Sequence, residues 1–427
     1  MTKFKQTKIF LFVIYSFFSF NNIFAMFDNS QNLKESIKKL GLNNFSKICA
    51  LLNNTEKYPI KISETSIFYS LASNVYKLIL QDLNDTNKWI NYNAADFFEN
   101  SCDLALNIEM MDNISPDYFQ FYYAKKIEID NFDEIVFLGD IHGNFFSLIQ
   151  IFKQFLNNVF NENLEIIGNR KIIFFGDFVD KGEASFEVLF FIFFLKILNP
   201  DSVFILKGNH EAYSMNMYYG FFDELKKKIA EDDVSTFYYN ILSVFNILPE
   251  VIYLKLKNKT YQINHGGFNF NYDPRDLLNG DYEFELTGPI YLNKKDFVSS
   301  FLWDDLDPEL SENNYVFVRN CAYKYSTLLA LNRMDLYEID GFLRGHFHGL
   351  FTSKTFENYE IFLKKINNIQ DVLNGTRSLP LGFCDIGRYG KPIFIHIACA
   401  ISGFYYEPSY LSLKMINGEP KFQLVVC

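Results

Sequence analysis

A layered α/β fold is what this 427-residue sequence predicts, and three observations predict it. Short apolar runs rich in Ile, Val and Phe recur after residue 125, each ending in a Gly-Asp or Gly-Asn corner. Stretches with helical spacing stand between them, so strand and helix alternate. The chain also has a core to bury: 49% of it is hydrophobic, and 21 Gly with 11 Pro are far too few for a low-complexity or collagenous protein.

Taken in order, Lys3, Lys5 and Lys8 precede an apolar run from Ile9 to Phe20, and polar Asn21 and Asn22 lead to the small Ala25. That order predicts a signal peptide over residues 1–25, cleaved after Ala25. A run this short, at about 1.5 Å per residue, does not cross a hydrocarbon core of about 30 Å. Export to a periplasm or the exterior is therefore expected, with no stable membrane anchor after cleavage. From 26 to 125, Leu33, Ile37 and Leu40, then Ile67, Leu71, Val75 and Leu78, recur at helical spacing, with Ser63 and Thr65 as N-caps. A helical N-terminal region is expected there, its apolar stripe buried on the main domain, with a connecting segment over 84–130 and a boundary near 125. The main domain, 126–427, should carry strands at 135–138, 172–175, 203–206, 261–264, 341–344, 392–398 and 410–415. Helices are expected at about 145–160 and 185–198, and the stretches near 269–300 and 353–390 read as insertions.

Charge and cysteine content narrow the function. Forty Lys and Arg against 51 Asp and Glu leave a net charge of −11, without the basic surplus that nucleic-acid binding needs. The six cysteines form no CxxC pair, which excludes zinc knuckles and thioredoxin-like motifs and leaves disulfides and buried thiols both open.

The chemistry lies at the strand ends. Asp140 and His142 follow the first expected strand, Asp177 the second, Asn209 and His210 the third, His265 the next, and His346 with His348 the one after. In open α/β sheets, residues outside the carboxyl ends of the strands converge. Five of six histidines at such corners are too many for isolated core imidazoles. Carboxylates, an amide oxygen and several imidazoles suit borderline divalent ions such as Mn, Fe, Zn or Co. There are enough ligands for two ions, bridged by Asp177, which would acidify a shared water and clamp the oxygens of an in-line displacement. Phosphate ester hydrolysis is the reaction this arrangement serves best.

The segments GDIHGN (139–144), GDFVDKG (176–182), GNHE (208–211), NHGG (264–267) and RGH (344–346) resemble those of the PPP-type metallophosphoesterases, which include the eukaryotic Ser/Thr protein phosphatases. YGFFDE (219–224), FNILP (245–249), WDDLDP (303–308) and VRNCAY (318–323) extend the likeness to about 130–427. The resemblance implies a metallophosphoesterase β-sandwich flanked by helices. It implies Asp140, His142 and Asp177 as ligands of a first metal, and Asp177, Asn209, His265 and His346 as ligands of a second. It makes His210 the general acid with Asp180 as its partner, and Arg319 a bidentate grip on the phosphoryl oxygens. Two positions depart from the pattern. Lys181 replaces an arginine, keeping charge but losing the planar fork, and is expected to direct its ammonium at the phosphate. His348 adds a second imidazole, as in the GHxH motif of the wider superfamily, where it joins the first metal.

The expected function is a metal-dependent phosphatase of phosphoserine and phosphothreonine in proteins, with phosphotyrosine as a further candidate and manganese, then iron or zinc, as the metal. The alternatives are a dinucleoside polyphosphate hydrolase, against which YGFFDE and Glu211 argue, and a pseudophosphatase that binds phosphopeptides without turnover.

Overall fold

A strand that is apolar on both faces needs a packed layer on each side, and the strands here are assembled accordingly. The computed structural model of the chain describes residues 124–229, 234–269, 300–307, 314–318, 322–346, 393–395 and 408–427, together with positions 45–46, 72, 74–75, 78–79, 273–275, 278 and 310. The strands in chain order are β1 (Ala124–Glu128), β2 (Glu134–Leu138), β3 (Arg170–Phe174), β4 (Val203–Ile205), β5 (Val251–Leu256), β6 (Lys259–Asn264), β7 (Asp305–Leu306), β8 (Tyr315–Val318), β9 (Ala322–Tyr325), β10 (Gly341–Arg344), β11 (Ile393–Ile395), β12 (Ser409–Ile416) and β13 (Glu419–Val426). The helices are α1 (Phe145–Phe155), α2 (Ser185–Leu198), α3 (Tyr213–Tyr219), α4 (Phe221–Lys228), α5 (Val234–Asn246), α6 (Ser300–Trp303) and α7 (Thr327–Leu336).

Two five-stranded sheets, ordered β1-β5-β6-β10-β11 and β13-β12-β2-β3-β4, face one another, and a small sheet β7-β9-β8 stands apart. Side chains alternate across each strand, and the packing follows that period of two. Ile135 and Phe137 of β2 meet Ile252, Leu254, Ile263 and Leu343 of the opposite sheet inside the sandwich. Their neighbours Val136 and Leu138 point outward to α1, α2 and α5. On the far side, Val251, Tyr253 and Phe342 pack against Ala330, Leu331 and Met334 of α7. Helix, sheet, sheet and helix therefore form four layers.

Helix α2 keeps the expected bounds and is apolar all round, with every residue from Ser185 to Ile197 buried, as a helix inside a layered core must be. Helix α1 starts as expected, with Asn144 accepting from Ser147 N–H at 3.0 Å. It ends at Phe155 rather than Phe160, because Asn157 turns left-handed and Phe160 is drawn into bridges with Leu156 and Ile166. The expected boundary near 125 falls inside β1, which pairs in parallel with β5 from Ala124–Val251 to Glu128–Lys255.

Of the N-terminal region, Phe45 packs against Phe160 and Phe191, ring centroids 5.8 and 6.2 Å away, and donates its N–H to Glu162 O at 3.1 Å. Ala72, Val75 and Ile79 are buried in the same apolar cluster. The signal peptide at 1–25, the stretch 353–390, most of 269–300, and Cys49, Cys102, Cys321, Cys384 and Cys399 lie outside the described residues. Cys427 is a free thiol. No helix among the described residues is long and apolar enough to cross a membrane.

Candidate metal centre

Five loops leave the carboxyl ends of β2, β3, β4, β6 and β10, and hydrogen bonds tie them to one another. Asp177 O accepts from the N–H of Ile141 and of His142, both at 2.9 Å, and Phe178 O accepts from Gly143 at 2.8 Å. Across the sandwich, His346 N–H donates to Asp140 Oδ1 at 3.0 Å and Gly345 N–H to His265 O at 3.0 Å. The backbone is left-handed at His142, Asp177, Asp180, Lys181 and His346, with φ between 47° and 69°. An L residue disfavours that region, so these loops hold strain that the surrounding bonds must over-determine. The β3 and β4 loops touch so closely that a Cβ on Gly176 would overlap Gly208 N, and a Cβ on Gly208 would lie 2.7 Å from Glu211 Oε2.

The structure brings Asp140, His142, Asp177, Asn209, His210, His265 and His346 into one buried cluster. Asp177 is its hub: Oδ2 lies 3.2 Å from His142 Nε2 and 3.2 Å from His265 Nε2. Asn209 Oδ1 lies 2.9 Å from His265 Nε2 and 3.0 Å from His346 Nδ1. Asp140 stands 3.8 Å from both His142 Nε2 and His265 Nδ1. Two groups have ligand-type atoms within 4.8 Å of one another: His142, Asp177 and His210, and Asp177, His265 and His346. Asp177 belongs to both. Its Oδ2 is buried and meets no hydrogen-bond donor, and a buried carboxylate oxygen left in that state among imidazoles fits a cation.

The electrostatics agree with that fit. Burial lowers His142 to about 4 and His346 to about 3, so both rings are neutral near pH 7 and carry a lone pair. Burial opposes ionisation of Asp177, yet His265, His210 and His142 hold its carboxyl well below the usual range. Burial also opposes a charge on His265, but Asp177 and Asp140 raise its pKa.

Beside this cluster, His210 Nδ1 lies 2.8 Å from Asp180 Oδ2, with the ring edge-on to His142 at 4.7 Å. Asp180 Oδ1 accepts from Phe221 N–H at the start of α4, at 3.0 Å. Lys181 Nζ stands 3.0 Å from His142 Nε2. Arg319 and His348 lie outside the described residues.

Several residues of the site were not singled out from the sequence. Asn216, on α3, donates to Asp180 Oδ2 at 3.0 Å and to His210 O at 2.7 Å, and accepts from Tyr238 O–H at 3.1 Å. Tyr219 packs its ring 4.9 Å from that of His210. Arg344, wholly buried, donates to Asp305 Oδ1 at 2.7 Å, and Asp305 Oδ2 lies 3.9 Å from His346 Nε2. Glu211, named from the sequence without this role, is pushed up to about 8 by burial and by Asp177 against the pull of three backbone N–H bonds that it accepts. The GNHE segment was a signal for Glu211; nothing in spacing points to Asn216 or Tyr238.

Residues 134–350, just over half of the chain, match the calcineurin-like phosphoesterase family, and the chain belongs to it. It is similar to serine/threonine-protein phosphatase T of Schizosaccharomyces pombe, 34% identical over 184 residues, 43% of this chain and 35% of that one. It is also similar to a probable serine/threonine-protein phosphatase of Encephalitozoon cuniculi, 31% identical over 179 residues, 42% of this chain and 35% of that one. The chain thus spans about a third of the length of these relatives. Among solved structures, a protein serine/threonine phosphatase from Saccharomyces cerevisiae, described as similar to human phosphatase PP5, superposes with a TM-score of 0.52 at 16% identity. That match covers 85% of this chain and 90% of the other, and the two share the fold.

Proposed function

We propose that the chain is a metal-dependent phosphoprotein phosphatase that hydrolyses phosphoserine and phosphothreonine monoesters. The observation that carries this reading is the His210–Asp180 pair set against Asp177, whose Oδ2 lies 3.2 Å from both His142 Nε2 and His265 Nε2. The similarity to named serine/threonine-protein phosphatases supports the substrate class. Asp140, His142 and Asp177 would hold one divalent ion, and Asp177, Asn209, His265 and His346 a second, with manganese as the metal proposed. The chemistry that bound ions would supply there is to acidify a water and to neutralise charge on the phosphoryl group.

The chain's own residues do the rest. Asp180 accepts the Nδ1 proton of His210, which fixes the ring and leaves Nε2 to carry the proton handed to the departing serine or threonine oxygen. The bond from His210 N–H to Asp177 Oδ1, at 2.9 Å, sets the distance between proton donor and ligand cluster. Asp140, Asp180 and His265 are wholly buried, and charge interactions among buried groups are strengthened.

The test is phosphate release by the full chain from a phosphothreonine peptide and from a dinucleoside tetraphosphate, with Mn²⁺ and with chelator. Release from the peptide that chelator abolishes is expected. Cleavage confined to the dinucleotide, or peptide binding without turnover, would replace the reading with one of its alternatives.

A further inference from the structure

The ammonium of Lys181, the side chain expected to face a phosphate, stands 3.0 Å from His142 Nε2. The geometry gives this contact a direction. His142 Nδ1 lies 2.9 Å from Val179 O, and a carbonyl oxygen only accepts, so Nδ1 carries the ring proton and Nε2 is left with a lone pair. An ammonium only donates, so the bond is N–H of Lys181 to the lone pair of Nε2. The same Nε2 faces Asp177 Oδ2 at 3.2 Å and Asp140 Oδ2 at 3.8 Å. It is therefore the atom through which His142 would join those carboxylates around an ion.

The base of the side chain is fixed, and its tip lies between His142 and the ring of Tyr219. Lys181 N–H donates to Tyr219 O at 3.1 Å, and φ is held at 63°. Nζ lies 5.9 Å from the centroid of the Tyr219 ring, a face that accepts a cation. The side of the cluster around His346 is arranged differently. Arg344, the cation there, is turned to Asp305 at 2.7 Å and to Gly345 O at 3.1 Å.

We propose that Lys181 competes with the metal for His142 Nε2, so that the two ion positions have unequal affinities. The position of Asp177, Asn209, His265 and His346 fills first, and that of Asp140, His142 and Asp177 fills only as the ammonium withdraws toward Tyr219. A lone pair cannot serve a donor and an ion together, and a unit positive charge at this range repels a divalent ion. The inference rests on the metal-centre reading above and gives Lys181 a role in loading, beyond any contact with phosphate.

Calorimetric titration of Mn²⁺ into the metal-stripped full chain tests it, in the wild type and in Lys181→Met, which keeps the aliphatic stem and removes the charge. The wild type should show two separated binding events. In Lys181→Met the tight event should stay and the weak one should tighten by roughly tenfold or more, the scale of a charge-assisted hydrogen bond. At one equivalent of Mn²⁺, electron paramagnetic resonance should show isolated ions in the wild type and a larger share of coupled pairs in the variant. Should the methionine variant not fold, Lys181→Gln, also uncharged, should shift the weak event in the same direction. Two equal sites in the wild type, or a weak event unmoved in a folded uncharged variant, would overturn the inference. A folded chain that takes up no Mn²⁺ at all would instead overturn the metal-centre reading.

Discussion

The carboxylate of Glu211 accepts the backbone N–H of Asp177 at 2.8 Å, and so fixes the loop that carries the carboxylate common to both candidate ligand groups. The same oxygen takes Gly208 N–H at 2.7 Å, and its twin takes Phe178 N–H at 2.9 Å. One buried side chain thus joins the loops after β3 and β4. Glu211→Gln is isosteric but puts an amide N–H₂ against one of these donors, and an unpaired buried donor costs about 1–3 kcal/mol. The variant should unfold at lower urea and retain less Mn²⁺ after dialysis. Wild-type values for both would mean that the loops do not depend on it.

Orientation of His210 should depend on residues that never meet substrate. Tyr238 O–H holds the amide of Asn216, and that amide holds both Asp180 and His210 O. Loss of a proton-transfer group is worth about 10² to 10⁴ in rate. Asn216→Ala, which leaves His210 and Asp180 in place, should lower kcat by less than His210→Asn, with a shifted pH profile. Tyr238→Phe should act in the same direction and more weakly. Metal content should be unchanged in all three, whereas Asp177→Asn should lose metal as well as activity; a drop in Mn²⁺ in Asn216→Ala would make its role structural.

Legibility followed burial only in part, since β5, Val251–Leu256, is almost wholly buried and was not among the expected strands. Strands β2, β3 and β4 are packed on both faces, so they appear in the sequence as apolar runs with glycine corners, and the site residues at those corners appear with them. Strand β1 escaped because Lys125 and Lys126 interrupt it, although Lys125 is buried in the fold. Strand β8 was not among the expected strands although YVFV is an apolar run, and in the fold Tyr315, Val316 and Phe317 are exposed. Helices α3 and α4 run together in sequence and are divided at Gly220, where φ is 109°. Asn216 and Tyr238 lie on separate helices, and only tertiary packing places them in one hydrogen-bonded line with Asp180.

Asp304 makes stability depend on pH. Burial pushes its carboxyl up to about 7 from the ordinary 3.8. Between those values the folded chain binds a proton that the unfolded chain has lost, so this group's contribution falls as pH rises through the window and is smallest above it. Asp304→Asn keeps an oxygen for Tyr323 N–H, which Oδ1 accepts at 2.8 Å, and has no charge to bury. Its urea midpoint should match the wild type near pH 4 and exceed it at pH 8. A constant difference across the range would show that Asp304 does not titrate in folding.

Phe45 tests whether the N-terminal region shares the core. Its ring is 4% exposed and seated on Phe160 and Phe191, so Phe45→Ala should leave a cavity and cost about 3–5 kcal/mol, the usual loss for a buried phenylalanine. The KM for p-nitrophenyl phosphate should not move, since these contacts lie in the helix layer outside the β2–β3–β4 sheet. An unchanged melting temperature would separate the region from the core.

The buried pair of Arg344 and Asp305 allows stability and catalysis to be separated. Asp305→Ala strands a guanidinium that is wholly buried, and removing one partner of a buried ion pair costs about 3–5 kcal/mol. Asp305→Ala with Arg344→Met removes both charges and should recover most of that loss, because the desolvation cost disappears with them. Activity should not recover in the double variant if Asp305 also steadies His346, whose Nε2 lies 3.9 Å from its carboxylate. Urea midpoints and kcat measured on the two single variants and the double variant complete the cycle. Recovery of both quantities would reduce the pair to a structural device; recovery of stability alone would assign Asp305 the positioning of His346.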